Sequence, residues 1–281
     1  FYVYALAVLP VVAAAAVVGN IDAIAAIRFP ESTYAHYPVW AETPRWIWTW
    51  SLVLVRLTNV VAAVVTVYLV YRLGTNLRDR CTGRAAAALL ACTFGFLKLA
   101  KEGGEDMPAV FCLLLALYLV LRYVQTGDGR SFLAGGAAGG VAIAFKLTAA
   151  PVVGLIGLAY FLRARTADAD PLAALVRPRL LVGGAALGLA AILLGFPTFL
   201  VGGVDQFLAR VFEGSAGRMN HPTGPDAPIW WWFLRGYFSA LGLPLFVAAV
   251  AGVVASLAAV RDRATSTDAL ALALAGLGAY L

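Results

Sequence analysis

Charged side chains are scarce in this sequence, 13% of its 281 residues against about a quarter in an ordinary globular domain. A chain with so little polar surface cannot clothe a soluble core, which excludes a soluble enzyme and a disordered protein alike. Cysteine is nearly absent: Cys81, Cys92 and Cys112 are too few and too dispersed for a disulfide or metal framework and read as small packing residues. His36 and His221 are the only histidines, and their separation gives no zinc-ligand spacing. The basic residues exceed the acidic ones, 21 to 15. They are scattered between apolar blocks and build no face for nucleic acid. The chain opens at Phe1 and closes at Leu281, each inside an apolar run, and is expected to be a piece of a longer protein.

What the sequence has in abundance is apolar length. Hydrophobic residues make up 62% of it and the mean hydropathy is +0.85, which predicts an all-α polytopic membrane protein. Four short segments, 72–84, 122–130, 163–179 and 261–268, hold twelve of the 21 basic residues. Cytoplasmic loops retain Lys and Arg, so these are expected on the cytoplasmic side. The blocks between them predict crossings at 51–71, 85–100, 107–121, 132–145, 147–162, 180–200, 230–260 and 269–281, in one transmembrane domain. Residues 1–18 are apolar and either span or lie along the interface. The outer loops are then 19–50, 101–106 and 197–229, which carry nine of the 15 acidic residues and both histidines. Gly/Ala-rich runs such as GGAAGGVAIA suit close helix packing in lipid. Trp46, Trp48 and Trp50, and Trp230 to Trp232, sit where long outer loops meet the membrane. An aromatic belt explains them and sugar stacking is the alternative.

Four places can carry chemistry. The stretch LAKEGGEDMPAVF sets Glu102, Glu105 and Asp106 in a tight turn before an apolar helix, where a carboxylate can take a proton, hold a cation or bind a sugar hydroxyl. Asp106, followed by Met107 and Pro108, equally suits a helix N-cap, and the two readings are compatible. Lys146 interrupts GGVAIAFKLTAAP; a cation at the membrane boundary either holds a lipid phosphate or merely snorkels to the headgroups. Arg56, within SLVLVRLTNVV, invites the same pair of readings, and Asn59 one turn on suggests a shared polar site. The polar loop 197–229 offers Arg210, Arg218 and His221 as substrate-contacting residues, against its reading as a solvated connector. No metal ligand set is predicted.

In their order, VRLTNVVAAVVTVYLVYRLGTNL, the acidic turn EDMPAVFCLLLALYLVLRY, GGAAGGVAIAFKLTAAPVVGLIGLAYFL and the Trp-rich return after a polar loop resemble the GT-C superfamily of membrane glycosyltransferases. The likeness is to the group of protein O-mannosyltransferases and aminoarabinose transferases. It implies inverting transfer of a sugar from a polyprenyl-phosphate donor to a lipid, glycan or protein acceptor, in the cell membrane and on its extracytoplasmic face. It carries Asp106 with Glu105 as the second acidic site, Lys146 as the donor-phosphate contact and Arg56 as a matching arginine. The principal catalytic Asp of such enzymes is expected upstream of residue 1. No cofactor is implied, though a divalent cation shared by the acids is allowed.

Two other function classes compete. A transporter or lipid flippase usually shows repeated halves with ionisable residues near mid-membrane, and here no repeat is visible. A non-catalytic membrane scaffold is the other alternative.

Overall fold

A computed structural model describes residues 2–25, 43–166 and 178–196 continuously, with isolated positions between 203 and 254. Every regular element among the described residues is helical. The predicted crossings 230–260 and 269–281, the loop 197–229 and the middle of the loop 19–50 lie outside the described residues, those isolated positions apart.

Helix α1 (Tyr2–Val17) ends at Gly19, whose φ of +77° suits a residue without Cβ, and a short α2 (Ile21–Ala25) follows. Helix α3 (Arg45–Leu77) starts after Pro44 and runs 33 residues, about 50 Å at 1.5 Å per residue. Asp79 then caps α4 (Arg80–Cys92) by accepting from the Thr82 amide at 2.7 Å. A bend of 64° separates α4 from α5 (Phe94–Lys101). Thr93 sits in that bend with extended backbone and donates its hydroxyl to the Leu89 carbonyl, which the broken helix leaves free. The single block expected over 85–100 is therefore two helices. Its apolar composition records the path, and the Thr93 hydroxyl satisfies a carbonyl at the break.

Helix α6 (Asp106–Thr126) closes at Gly127, in the left-handed region at φ +74°. Asp128 starts α7 (Gly129–Phe145), accepting from the Arg130 amide at 3.1 Å and from the Ser131 hydroxyl at 2.8 Å. Lys146 follows α7 in extended backbone, one 3-10 turn spans Leu147–Ala149, and α8 (Val152–Thr166) and α9 (Pro178–Gly195) complete the described bundle. By length and composition three helical stretches can cross a membrane, Arg45–Leu77, Asp106–Thr126 and Leu147–Ala164, or four when the bent pair α4–α5 counts as one. This is a multi-pass membrane protein of the all-α class.

Contacts give the helix directions. Asn59 meets Glu102 and Gly104 before α6, and Asn76 meets Gln125 at its end, so α3 and α6 run parallel. Gly83 lies against Gly74, while the end of α5 reaches Asn59, so the bent pair returns along α3. Gly136 abuts Gly184 and Gly140 abuts Gly188, making α7 and α9 parallel neighbours. Arg163 donates to the Val124 carbonyl at 3.2 Å, which sets the end of α8 beside the end of α6.

The core forms around α6, 56% of whose apolar window is buried against 22% for α3. Leu113, Ala116, Leu117, Val120 and Leu121 recur on one face; the first three pack with Ala138, Ala142 and Ile143 of α7 and Val152 and Leu155 of α8, and the last two with Leu73 of α3 and Ala159 and Leu162 of α8. Tyr123, Phe132 and Tyr160 close the other end, with ring centroids 4.9 to 6.5 Å apart. At the α7–α9 crossing a Cβ on Gly136 would stand 2.7 Å from the Gly184 carbonyl oxygen, so the Gly/Ala runs are close-packing surfaces.

Candidate functional site

The hairpin of α6 and α7 sets the site. Its turn is at Gly127 and Asp128, and its arms are 21 and 17 residues long, so the start of α6 and the end of α7 come to the same level. There the Lys146 ammonium forms an ion pair with Oδ1 of Asp106, across 40 residues of sequence. The charges suit the helix ends that bear them: Asp106 is the first residue of α6, where amides point outward, and Lys146 follows the carbonyl end of α7. Their side chains retain 34% and 42% exposure respectively, so both are paired and accessible.

Asp106 is not the helix cap that its sequence context suggests. Glu105 occupies the N-cap position, its carbonyl accepting from the Ala109 amide at 3.2 Å, and its side chain makes no capping hydrogen bond. One residue's shift brings the Asp106 carboxylate to Lys146 and leaves Glu105 exposed beside it. Pro108 stays in the first turn, where its missing N–H costs nothing.

The turn before Asp106 rests on α3. Asn59, fully buried, donates from Nδ2 to the Glu102 carbonyl at 2.5 Å and to the Gly104 carbonyl at 2.9 Å. The Tyr4 hydroxyl of α1 lies 2.6 Å from Asn59 Oδ1 and 2.5 Å from the Gly104 carbonyl. A Cβ on Gly103 would touch Val55 at 3.1 Å. The expected pairing of Arg56 with Asn59 in one polar site is not what the helix makes. Three residues leave about 60° between two side chains on a helix, so Asn59 is buried while Arg56 is exposed, with no ion pair among the described residues. Glu102 instead pairs loosely with Lys98 at 3.9 Å.

Beside the pair, the ends of α7, α9 and α1 enclose an apolar hollow of about 360 Å³ lined by Phe145, Ala144, Leu194 and Tyr2. A second, of about 300 Å³, opens further along between α7, α8 and α9, lined by Gly136, Gly140, Ile156 and Leu189 among others. Basic residues of the described segments gather at the opposite end. There Arg163 covers Gly127, and Arg72 reaches the hydroxyls of Tyr68 at 3.0 Å and Tyr118 at 3.3 Å. Backbone and Ser131 hydrogen bonds hold the Asp128 carboxyl below its usual range at that end, and amide bonds from the first turn of α4 do the same for Asp79.

Among the described residues no three ligating side chains cluster for a metal, and the three cysteines are free. Arg210, Arg218 and His221 lie outside the described residues. Sequence reasoning missed Tyr4. The second of two tyrosines in the opening YVYALAVLP run was its one trace, and nothing in that run points to a partner 100 residues away.

Residues 47–196, a little over half of the chain, match the family model described as dolichyl-phosphate-mannose-protein mannosyltransferase. No curated protein and no solved structure matches. The matched stretch runs from the first turn of α3 to the end of α9 and contains Arg56, Asn59, Glu105, Asp106 and Lys146, whereas Tyr4 precedes it.

Proposed function

The chain belongs to the dolichyl-phosphate-mannose-protein mannosyltransferase family of membrane glycosyltransferases, and from that premise we propose that it transfers a sugar from a polyprenyl-phosphate donor to a hydroxyl acceptor on a lipid, glycan or protein. The observation that carries the reading is the pair of Asp106 and Lys146, a carboxylate and a cation held together at one end of the bundle beside apolar hollows. Arg72 and Arg163, from the described ends of basic segments, lie at the other end. Cytoplasmic enrichment in Arg supports a site on the extracytoplasmic face of the cell membrane.

Glycosyl transfer from a lipid phosphate breaks the bond between the anomeric carbon and the phosphate oxygen and forms one to the acceptor oxygen. Attack from the opposite face inverts the anomeric centre. Negative charge builds on the departing phosphate, and Lys146 is placed to stabilise it, with Arg56 as a second exposed cation one face away. The acceptor hydroxyl sheds its proton to a carboxylate. Asp106 supplies one, and Glu105 stands next to it, its side chain making no capping hydrogen bond. A phosphate entering the site competes with Asp106 for Lys146, which frees the carboxylate as the donor binds. The polyprenyl chain is accommodated by the apolar hollows along α7 and α9, and Arg210, Arg218 and His221 are assigned to contact with the substrates. A cation serves a monophosphate leaving group without a metal.

The test is sugar transfer by the full-length protein in lipid, with a radiolabelled polyprenyl-phosphate sugar and release of the lipid phosphate as readout. Asp106→Asn and Lys146→Ala are each expected to lower transfer by about a hundredfold or more while the folded protein is retained, and EDTA to leave wild-type transfer unchanged. Near-normal turnover in both variants removes the proposed site. Movement of the lipid across the bilayer without cleavage makes the protein a transporter instead.

A further inference from the structure

Asn59 is the one buried residue of α3 that binds outside its own helix through both halves of its amide: the two N–H groups hold the Glu102 and Gly104 carbonyls, and Oδ1 faces the Tyr4 hydroxyl. Among the described residues little else fixes the turn it grips: Gly103 and Gly104 carry no side chains, the Glu102 side chain pairs with Lys98 at 3.9 Å, and Glu105 makes no cap bond. Leu52, Val55 and Asn59 recur at helical spacing, and Gly103 lies against the first two. The turn therefore lies on one face of α3 and is pinned at its polar end.

We propose that Asn59 and Tyr4 form a positioning latch that sets the Asp106 carboxylate against Lys146, and that α1 helps to orient that carboxylate through the Tyr4 hydroxyl. The latch acts through the backbone. Gly104 is two residues from Asp106, so a fixed Gly104 carbonyl fixes the first turn of α6 and the direction in which Asp106 leaves it. A buried amide whose N–H groups and carbonyl are all engaged holds one geometry, since any rotation leaves polar atoms without partners in an apolar setting. Neither residue touches a reacting atom, and Lys146 is held separately by the end of α7. Loss of the latch therefore misplaces the carboxylate while leaving the phosphate contact. This inference rests on the transferase reading for its kinetic readout only.

The experiment compares wild type with Asn59→Leu and Tyr4→Phe in nanodiscs, reading deuterium uptake by the amides of 103–106 alongside transfer kinetics. Asn59→Leu keeps the volume and removes both donors; Tyr4→Phe removes one hydroxyl and leaves the fold. Faster exchange in the turn is expected in both. With it, kcat falls about a hundredfold for Asn59→Leu and about tenfold for Tyr4→Phe, while the donor KM stays within a fewfold of wild type. If Asn59→Leu fails to fold, Tyr4→Phe decides alone. Unchanged uptake in the turn overturns the latch whatever the rates do, and faster exchange with unchanged kcat overturns its positioning role. A wild type inert toward the donor defeats the transferase reading, while exchange still decides whether the latch holds the turn.

Discussion

Asp128 shows how little chemistry a helix start requires and how clearly it can be measured. Its carboxylate takes the Arg130 amide and the Ser131 hydroxyl, bonds that favour the charged form and hold its pKa below the usual value near 4. A group whose pKa is depressed by folding adds stability that is fully present above its unfolded value and lost as pH falls through its folded one. Asp128→Asn should therefore lower the thermal midpoint at pH 7, with a deficit that shrinks below about pH 4 and vanishes as pH falls through the depressed folded value, where the native carboxylate is protonated as well. Thermal melts of both proteins across pH 3–7 check this. A deficit constant with pH would mean that the carboxylate charge is not what holds the α7 start. Such caps are legible in sequence, because Thr-Gly-Asp-Gly between apolar runs is turn chemistry. The ion pair was harder to read, since its members are 40 residues apart. Counting both arms of the hairpin back from Gly127 would have aligned them.

At the scale of elements, the α7–α9 crossing is the most exacting surface. Gly136→Val drives a branched side chain into the Gly184 carbonyl and should cost about 1–3 kcal/mol of stability. Gly154→Ala, where nothing lies within 4 Å of the added methyl, should be neutral or stabilising. Steric-trap or SDS-unfolding measurements on the two variants test the contrast, and equal effects would show that the crossing is not closely packed. Apolar blocks and Gly-rich faces made the all-α membrane class and these packing surfaces readable. Lys146, alone in an apolar run, marks the end of α7. The bend at Thr93 has no comparable trace: Thr is common inside membrane helices, and whether its hydroxyl breaks the helix depends on what packs around it. The broad-faced pattern of α3 likewise hides which of Arg56 and Asn59 turns inward.

For the molecule as a whole, the helix directions separate two chemistries by the length of the bundle. Cys81, exposed near the start of α4, lies with the basic segments, and Glu105 at the other end. In sealed, oriented vesicles of a chain carrying Glu105→Cys, a membrane-impermeant maleimide added outside should modify position 105, and Cys81 only after the vesicles are opened. Labelling of both from one side would refute the assigned orientation. The same arrangement made the site partly legible in advance, for acids concentrate in the segments between the basic loops. The clamp by Tyr4 and Asn59 was not, because it depends on three separate segments converging.

Helix α6 is fastened at both ends, by the Tyr4–Asn59 grip on the turn before it and by Arg163 at the Val124 carbonyl and over Gly127. Its 21 residues measure about 32 Å, close to the ~30 Å of a bilayer's hydrocarbon core. The helix is a ruler. It keeps the carboxylate and ammonium one membrane thickness from Arg163 and Gly127, so the height of the ion pair is gauged from the far surface of the bilayer. A thinner membrane is met by tilting the whole hairpin, because neither end can yield alone.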